Sequence, residues 1–195
     1  MPGRVKTRLT PPCTPVDAAA LAAAALADTL VAVARSQAAR RRVLVLDGEP
    51  GPWVPPGVEV LPQRGDGLAA RLVAAFCDVD GPAFLVGMDT PQVTPALLDA
   101  GVRALHHADA AFGPALDGGY WGIGLRRPAP AVFRDVPMSA PTTGAIQRAR
   151  LAELGLDTAL LPPLQDVDTI ADAQRVAAAV PESRFARALE RVVVR

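Results

Sequence analysis

Residues 43–91 read VLVLDGEPGPWVPPGVEVLPQRGDGLAARLVAAFCDVDGPAFLVGMDTP, and they decide the fold class. Short apolar runs of strand type lie at 43–47, 58–61 and 82–89, and helical spacing covers 67–79. Strands that alternate with helices of this length predict an α/β protein with a mostly parallel sheet covered by helices on both faces. Ligands bind such sheets at the carboxyl ends of the strands, so the residues that follow each strand are the candidates for function.

The same alternation continues outside this segment. Further helices are predicted at 17–42, 94–107, 143–154, 169–180 and 183–193, and further strands at 110–116 and 119–125, with another before residue 165. With 195 residues, the chain is long enough for one full-sized core. We therefore expect a single domain over residues 1–195, with the motifs within about 1–180 and a peripheral C-terminal helix at 181–195.

Charge and cysteine usage narrow the function classes. The chain has 20 basic and 20 acidic residues and a formal net charge of zero, which argues against a nucleic-acid-binding protein. Cys13 and Cys77 are far apart and form no CxxC pair, so we expect two free thiols in a reducing cytoplasm.

An alanine-rich apolar run at 18–34 follows three basic residues and resembles a signal peptide in outline. Prolines and Asp17 stand where the apolar region would begin, and Asp28 interrupts it. We therefore predict a helix of a soluble protein with Asp17 as its N-cap, and no membrane span.

The N-terminal octet PGRVKTRL carries Arg4, Lys6 and Arg8 at alternate positions next to Gly3. Lys6 is the only lysine of the chain. Three cations beside a backbone that a ligand can approach suit a diphosphate, with lysine as a compact charge and arginine as a bidentate donor. The alternative is a solvated basic terminus without a ligand.

Acidic residues follow two of the predicted strands. In GMDTP, Asp89 closes an apolar strand, where a carboxylate can share a divalent cation with phosphate oxygens. Its alternative is a turn or capping residue before a proline. In QDVDT, Asp166 and Asp168 point the same way if the chain is extended, so both could bind one cation. The alternative is helix capping by Asp168, with Asp172 in the first turn.

Two glycine-containing turns complete the candidate sites. The turn Asp117-Gly118-Gly119 is followed by Tyr120 and allows close approach of a ligand, although a plain hairpin turn has the same composition. The segment LPQRGDGLAARL, residues 61–72, places a glycine-rich loop before a helix, which suits an anion or the edge of a base.

These motifs occur in an order that strongly resembles one family. The order is PGRVKTRL, then Gln63, Leu68 and Arg71, then GMDTP, DGGYWGIGL and LPPLQDVDT. The chain resembles, over residues 1 to about 176, the bacterial glycosyltransferase-A-like nucleotide-diphospho-sugar transferases, which are sometimes linked to arsenosugar biosynthesis. That group is related to molybdenum-cofactor guanylyltransferases and similar nucleotidyltransferases.

The resemblance implies a single Rossmann-like GT-A domain that binds a nucleotide diphosphate with Mg²⁺ or Mn²⁺. By analogy, Gly3, Arg4, Lys6 and Arg8 hold the phosphates, and the Gln63–Leu68–Arg71 segment lies near the base. Asp89 and Asp168, with Asp166 as a lesser candidate, hold the metal. Asp117, Gly118, Gly119 and Tyr120 lie near the transferred sugar or the acceptor. Lys6, Asp89 and Asp117 are the candidate catalytic residues.

The chain departs from the family pattern in three places. Related sequences carry a strand before the PGRVKTRL motif, so we expect that the first strand is missing here and that Met1 is an internal start. The usual order GDLG is GDGLAA here, and the segment after Val136 lacks an expected aromatic residue.

Three functions are compatible with these patterns. The leading one is a metal-dependent glycosyltransferase with a nucleotide-diphosphate sugar donor and a small acceptor. The second is a nucleotidyltransferase that joins a nucleoside triphosphate to a phosphorylated small molecule. The third is a non-catalytic or truncated nucleotide-binding protein. The base, the sugar, the acceptor, the choice of metal and the oligomeric state are left open.

Overall fold

The computed structural model describes residues 6–192. The six strands are β1 (Val43–Leu46), β2 (Glu59–Pro62), β3 (Ala83–Val86), β4 (Ala110–Pro114), β5 (Tyr120–Leu125) and β6 (Thr158–Leu160). The six α-helices are α1 (Pro15–Arg35), α2 (Gly67–Val79), α3 (Pro95–Ala104), α4 (Thr143–Glu153), α5 (Ile170–Ala179) and α6 (Arg184–Glu190). Short 3-10 helices span Thr7–Leu9 and Pro130–Phe133. The alternation of strands and helices expected from the sequence is therefore present.

The strands form two sheets, and the larger one is mixed. β1 and β2 pair in parallel. The second sheet has the order β3-β5-β4-β6, in which β5 runs antiparallel to both β3 and β4, and β4 runs parallel to β6. The mostly parallel sheet expected from the sequence is therefore not what forms. The physical reason is the short 115–119 connection, which allows a hairpin but cannot accommodate a crossover between parallel strands.

Helices cover both faces of the larger sheet. On β3, Ala83 and Leu85 pack with α2 and α4, while Phe84 and Val86 pack with α1 and α3. Alternate residues of a strand point to opposite faces, so an entirely apolar β3 needs apolar partners on each side.

The ring of Phe84 explains the glycines of β5 and α3. A Cβ atom at Gly122 would lie 2.6 Å from Phe84 Cζ, and one at Gly101 would lie 2.7 Å from the same ring. The ring also makes an edge contact with Trp121, with 5.6 Å between ring centroids. Glycine therefore allows the large aromatic to lie flat against the sheet, which fixes β3 on β5.

Helix α1 begins and ends at residues other than those predicted. Its N-cap is Thr14, and Asp17 is the third helical residue that completes the capping box, so the prediction of Asp17 as N-cap is wrong. The helix ends at Arg35 and not near residue 42. It is long and apolar enough to cross a membrane by length and composition alone. In this fold, its apolar residues Leu21 and Ala25 pack in a cluster with α5 and α6.

A buried carboxylate accounts for the end of α1. Asp99 on α3 accepts hydrogen bonds from the Ser36 hydroxyl at 2.5 Å and from the backbone N–H groups of Gln37 and Ala38, both at 2.9 Å. These bonds hold the chain in a turn directly after the helix, and residues 36–42 lead into β1 as a loop. The interaction joins residues distant in the sequence, which is why the helical pattern alone overestimated the length of α1.

Candidate active site

Three segments meet at one edge of the larger sheet. The chain leaves β3 at Val86, and Gly87 N–H donates to the carbonyl of Trp121, near the start of the antiparallel β5. The segment after β6 returns to the same edge, where Ala115 and Leu164 form an isolated bridge. Strand ends and turns therefore bring residues 87–89, 115–119 and 164–168 together.

Lys6 lies among the acidic residues of this edge. Its Nζ is 2.6 Å from Asp89 Oδ1 and 4.0 Å from Asp168 Oδ1, and it also donates to the carbonyl oxygen of Val167. Only 9% of the Lys6 side chain is exposed. The N–H of Val167 donates in turn to the carbonyl of Asp89 at 2.9 Å. One ammonium group therefore joins the GMDTP and QDVDT segments.

Arg8 adds a second cation to the same cluster. Its Nη1 lies 2.7 Å from Asp168 Oδ2, while 62% of its side chain remains exposed. Asp168 is therefore placed between Lys6 and Arg8. The guanidinium group retains donors directed to solvent, where an anionic ligand can approach it.

Asp166 is the most perturbed acid of the site. Burial and, to a lesser extent, the nearby carboxylates of Asp117, Asp89 and Asp168 together raise its pKa to about 7, against the opposing effect of Lys6. Its Oδ1 is buried, and no described residue forms a hydrogen bond with it. An unpartnered buried oxygen beside several acids is chemically suited to accept a cation or a proton.

The capping alternative for Asp168 is wrong. Thr169 is the N-cap of α5, and its side chain forms a reciprocal capping box with Asp172. The side chain of Asp168 is instead engaged by Lys6 and Arg8. The second carboxylate of QDVDT is therefore available to the site and is not needed by the helix.

The Asp117-Gly118-Gly119 turn is docked tightly against the start of α4. Asp117 Oδ1 accepts from Gly119 N–H at 2.8 Å, and Gly144 N–H donates to the carbonyl of Gly118 at 2.8 Å. Gly118 has φ +92°, and a Cβ there would overlap the carbonyl oxygen of Pro141. The turn therefore needs glycine for both its backbone angle and its close packing.

Tyr120 contributes more to packing than to the open site. Its ring lies against Phe112, with 5.4 Å between ring centroids, and burial raises the pKa of its phenol. Its hydroxyl lies 4.0 Å from the sulfur of Met138, in the segment before α4. The expected role of Tyr120 near the acceptor stays a prediction.

Of the predicted base-binding residues, Gln63 directly follows β2, and Leu68 and Arg71 lie in the first two turns of α2. Arg71 Nη1 donates to Gln63 Oε1 at 2.8 Å and lies 3.9 Å from Asp47 Oδ2. Leu68 is exposed on the first turn of α2. The structure therefore brings Gln63 and Arg71 together, while Leu68 makes no polar contact with them.

The predicted metal site stays a prediction. Among residues 6–192, no group of three or more His, Cys, Asp or Glu side chains is arranged to hold a metal ion. Gly3 and Arg4, two of the predicted phosphate-binding residues, lie outside the described residues. The expectation of a missing first strand also concerns that end of the chain.

Two members of the site were not predicted from the sequence. The backbone groups of Val167 connect Lys6 to Asp89, but backbone contacts depend on the fold and not on residue type. Gln92 donates from Nε2 to the carbonyl of Gln165 at 2.6 Å and fastens the 165–168 segment to the loop after β3. Its position immediately after GMDTP was the available signal.

Fold comparisons identify the structural class. The structure of a candidate nucleotide-diphospho-sugar transferase from Desulfovibrio desulfuricans matches with a TM-score of 0.82 and 29% identity, over 97% of this chain and 89% of that one. CMP:2-keto-3-deoxy-manno-octonic acid synthetase in complex with CTP matches with a TM-score of 0.58 and 13% identity, over 81% and 88% of the two chains. The chain thus has the α/β fold of the nucleotide-diphospho-sugar transferases.

The sequence comparison identifies the family. The family model DUF2064, described as an uncharacterized protein conserved in bacteria, matches residues 17–140, and the chain belongs to this family. No curated protein matches the sequence. The resemblance inferred from the ordered motifs is therefore confirmed at the level of family and fold.

Proposed function

We propose that this protein is a metal-dependent glycosyltransferase that takes a nucleotide-diphosphate sugar as donor and a small molecule as acceptor. The observation that carries the proposal is the cluster of Lys6, Arg8, Asp89 and Asp168 at one edge of the sheet. The likeness to a candidate nucleotide-diphospho-sugar transferase over nearly the whole chain supports the donor class. In keeping with its composition, the enzyme acts in the cytoplasm as a single domain.

The cations of the cluster suit a leaving diphosphate. Lys6 is held nearly buried by Asp89 and Val167, and Arg8 retains donors toward solvent. Fixed positive charges at the site of a developing diphosphate stabilise the transition state, because they need not reorganise as the negative charge grows. Gly3 and Arg4 are expected to contribute to the same phosphate site.

The acids of the cluster fit Mg²⁺ or Mn²⁺. Asp89 and Asp168 both approach a single ammonium group, so both can approach a metal cation, and the buried Oδ1 of Asp166 has no described partner. One or two carboxylates together with substrate phosphate oxygens are the usual ligands of Mg²⁺. When bound, the ion would act as a Lewis acid and offset the negative charge of the diphosphate.

Asp117 is the candidate for the acceptor side. Its side chain is exposed in the turn beside the acids, and its negative charge raises the pKa of Asp166. One oxygen is held by Gly119 N–H, which fixes the direction of the carboxylate. We propose that the carboxylate orients an acceptor hydroxyl and takes its proton.

A nucleotidyltransferase is the second candidate. The fold of CMP:2-keto-3-deoxy-manno-octonic acid synthetase, seen with CTP, is shared by this chain. The same cations and acids would then bind a nucleoside triphosphate, and the product released would be pyrophosphate. The two reactions are therefore distinguished by their products and not by the fold.

The test is a panel of nucleotide sugars and nucleoside triphosphates, each with Mg²⁺ or Mn²⁺. Binding is measured by the shift in melting temperature, and products are then separated by chromatography from reactions with pooled small acceptors. A nucleotide sugar that stabilises the protein and yields a nucleoside diphosphate supports the proposal. Pyrophosphate release from a triphosphate supports the second candidate, and absence of any nucleotide effect on the folded protein contradicts both.

A further inference from the structure

Two glutamine amides link the acidic segment 165–168 to the elements on either side of it. Gln92, in the loop after β3, donates from Nε2 to the carbonyl oxygen of Gln165 at 2.6 Å. Gln165 in turn donates from its own Nε2 to the carbonyl oxygen of Asp166 at 3.0 Å and to Oδ1 of Asp172 at 3.1 Å. Because Asp172 lies in the first turn of α5, the two amides connect the loop after β3 to that helix.

These bonds fix the backbone around Asp166. The carbonyl of Gln165, which precedes it, accepts from Gln92, and the carbonyl of Asp166 accepts from Gln165. The N–H of Val167, which follows, donates to the carbonyl of Asp89 at 2.9 Å. The buried Oδ1 of Asp166 has no hydrogen-bond partner among residues 6–192. The position of this oxygen therefore depends on the backbone and on the two amides that hold it.

The amide of Gln92 is only half satisfied. Its Nε2 is bonded, but its Oε1 is buried and has no partner in the described part of the chain. A carbonyl oxygen only accepts, so the amide cannot exchange its two ends without losing the bond to Gln165. An unpaired buried polar atom offsets much of what one hydrogen bond contributes to stability. Stability alone therefore gives little reason for a glutamine at this position.

We propose that Gln92 and Gln165 are positioning residues, which hold Asp166 where its Oδ1 can join Asp89 and Asp168 around one divalent cation. This inference rests on the proposed function, which supplies the cation. Neither glutamine is a ligand, and each acts through the backbone of the acidic segment. Removal of a hydrogen-bond partner that orients a metal ligand typically lowers metal affinity by about 10–100-fold.

The test is calorimetric titration of the folded protein with Mn²⁺ alone. Gln92→Met keeps the length of the side chain and removes the donor, so we expect the Mn²⁺ affinity to fall about tenfold. The melting temperature of the metal-free variant should stay close to that of wild type, because the lost bond belonged to a half-satisfied amide. Gln37→Met is the matched control, since Gln37 also donates from Nε2 to a backbone carbonyl, that of Arg35, on the surface after α1. This control should keep the wild-type affinity.

Electron paramagnetic resonance of the bound Mn²⁺ shows whether Asp166 is the acid that moves. Asp166→Asn weakens this ligand directly, and Gln92→Met and Gln165→Met are expected to change the line shape in the same direction. The double variant of Gln92 and Gln165 should lose little more affinity than either single variant, because both residues act on one segment.

The outcomes separate this inference from the proposed function. Wild-type Mn²⁺ affinity in Gln92→Met overturns the positioning role, while Mn²⁺ binding itself stands. An equal loss of affinity in Gln37→Met, or a line shape in Gln92→Met that differs from that of Asp166→Asn, overturns it as well. If the wild-type protein binds no Mn²⁺, the inference falls together with the metal dependence of the proposed function.

Discussion

The ammonium of Lys6 lies 2.6 Å from a carboxylate oxygen of Asp89, and only 9% of the Lys6 side chain is exposed. The contact joins the N-terminal basic segment to the loop after β3. The same ammonium lies 4.0 Å from Asp168 and so offsets part of the negative charge of both carboxylates. Lys6 and a divalent ion would therefore compete for the same carboxylates.

Replacing Lys6 tests this competition. In Lys6→Met, Asp89 and Asp168 lose their shared ammonium, so Mn²⁺ alone is expected to bind several-fold more tightly. A nucleoside diphosphate is expected to bind more weakly, because a phosphate cation is lost. Titration of Mn²⁺ and of the diphosphate measures both. The control is Arg41→Met, because the ion pair of Arg41 with Glu59 lies at the start of β2. If Lys6→Met raised both affinities, or lowered both, the account would be contradicted.

The raised pKa of Asp166 predicts that the metal-free protein becomes less stable as the pH rises. Its pKa of about 7 exceeds the ordinary value near 4, so the folded state keeps a proton that the unfolded state has released between these values. The free energy of unfolding therefore falls as pH rises through this window and levels off above it. Asp166→Asn cannot ionise, so we expect it to gain a few kcal/mol relative to wild type from about pH 4 to about pH 8. Urea unfolding in the presence of a chelator measures the difference; a constant difference across pH would refute the assignment.

The lowered pKa of Asp99 predicts the opposite pH dependence of stability. The hydrogen bond from the Ser36 hydroxyl, with those from two backbone N–H groups, holds the pKa of Asp99 below its ordinary value despite burial. Asp99→Ala leaves these donors unpaired, and we expect a loss of about 3 kcal/mol at neutral pH. The loss should persist above about pH 4 and shrink in stronger acid, as the wild-type carboxylate is protonated. Urea midpoints compared with those of the exposed Glu49→Ala check the prediction.

The close packing of Gly118 predicts that a side chain at this position would destabilise the contact between its turn and the segment before α4. Gly118→Ala would strain a φ of +92° and overlap the carbonyl of Pro141, whereas Gly57→Ala would strain a φ of +80° in open space. Strain alone costs about 1 kcal/mol, and overlap should raise the loss at Gly118 by about 1–3 kcal/mol more. Thermal unfolding of both variants measures the excess. Equal losses would mean that the turn is not packed against Pro141.

The sequence predicted the elements well where local signals decide them. Helix α2 spans the predicted 67–79, because its apolar spacing and flanking turns are local. The sequence overestimated the length of α1, because the end of that helix depends on Asp99. It left a hairpin at Asp117-Gly118-Gly119 open but predicted a mostly parallel sheet, because the insertion of the antiparallel β5 between β3 and β4 depends on contacts between strands distant in the sequence.

The candidate site was predictable to a similar degree. Asp89 and Asp168 could be placed at strand ends from the pattern, and the structure brings both to Lys6. The backbone groups of Val167 and the orientation of the Gln63 amide could not be predicted, because they follow from partners distant in the sequence or on another element.

The most direct test of the central claim is calorimetric titration of Asp89→Asn with a nucleoside diphosphate that binds the wild-type protein, with and without Mn²⁺. The side chain of Asp89 is 46% exposed and contributes little packing, so the variant should fold. The account predicts that wild type binds more tightly with Mn²⁺, that Asp89→Asn loses this gain, and that Asp157→Asn before β6 retains it. Equal Mn²⁺-dependent binding by Asp89→Asn and wild type would contradict the account.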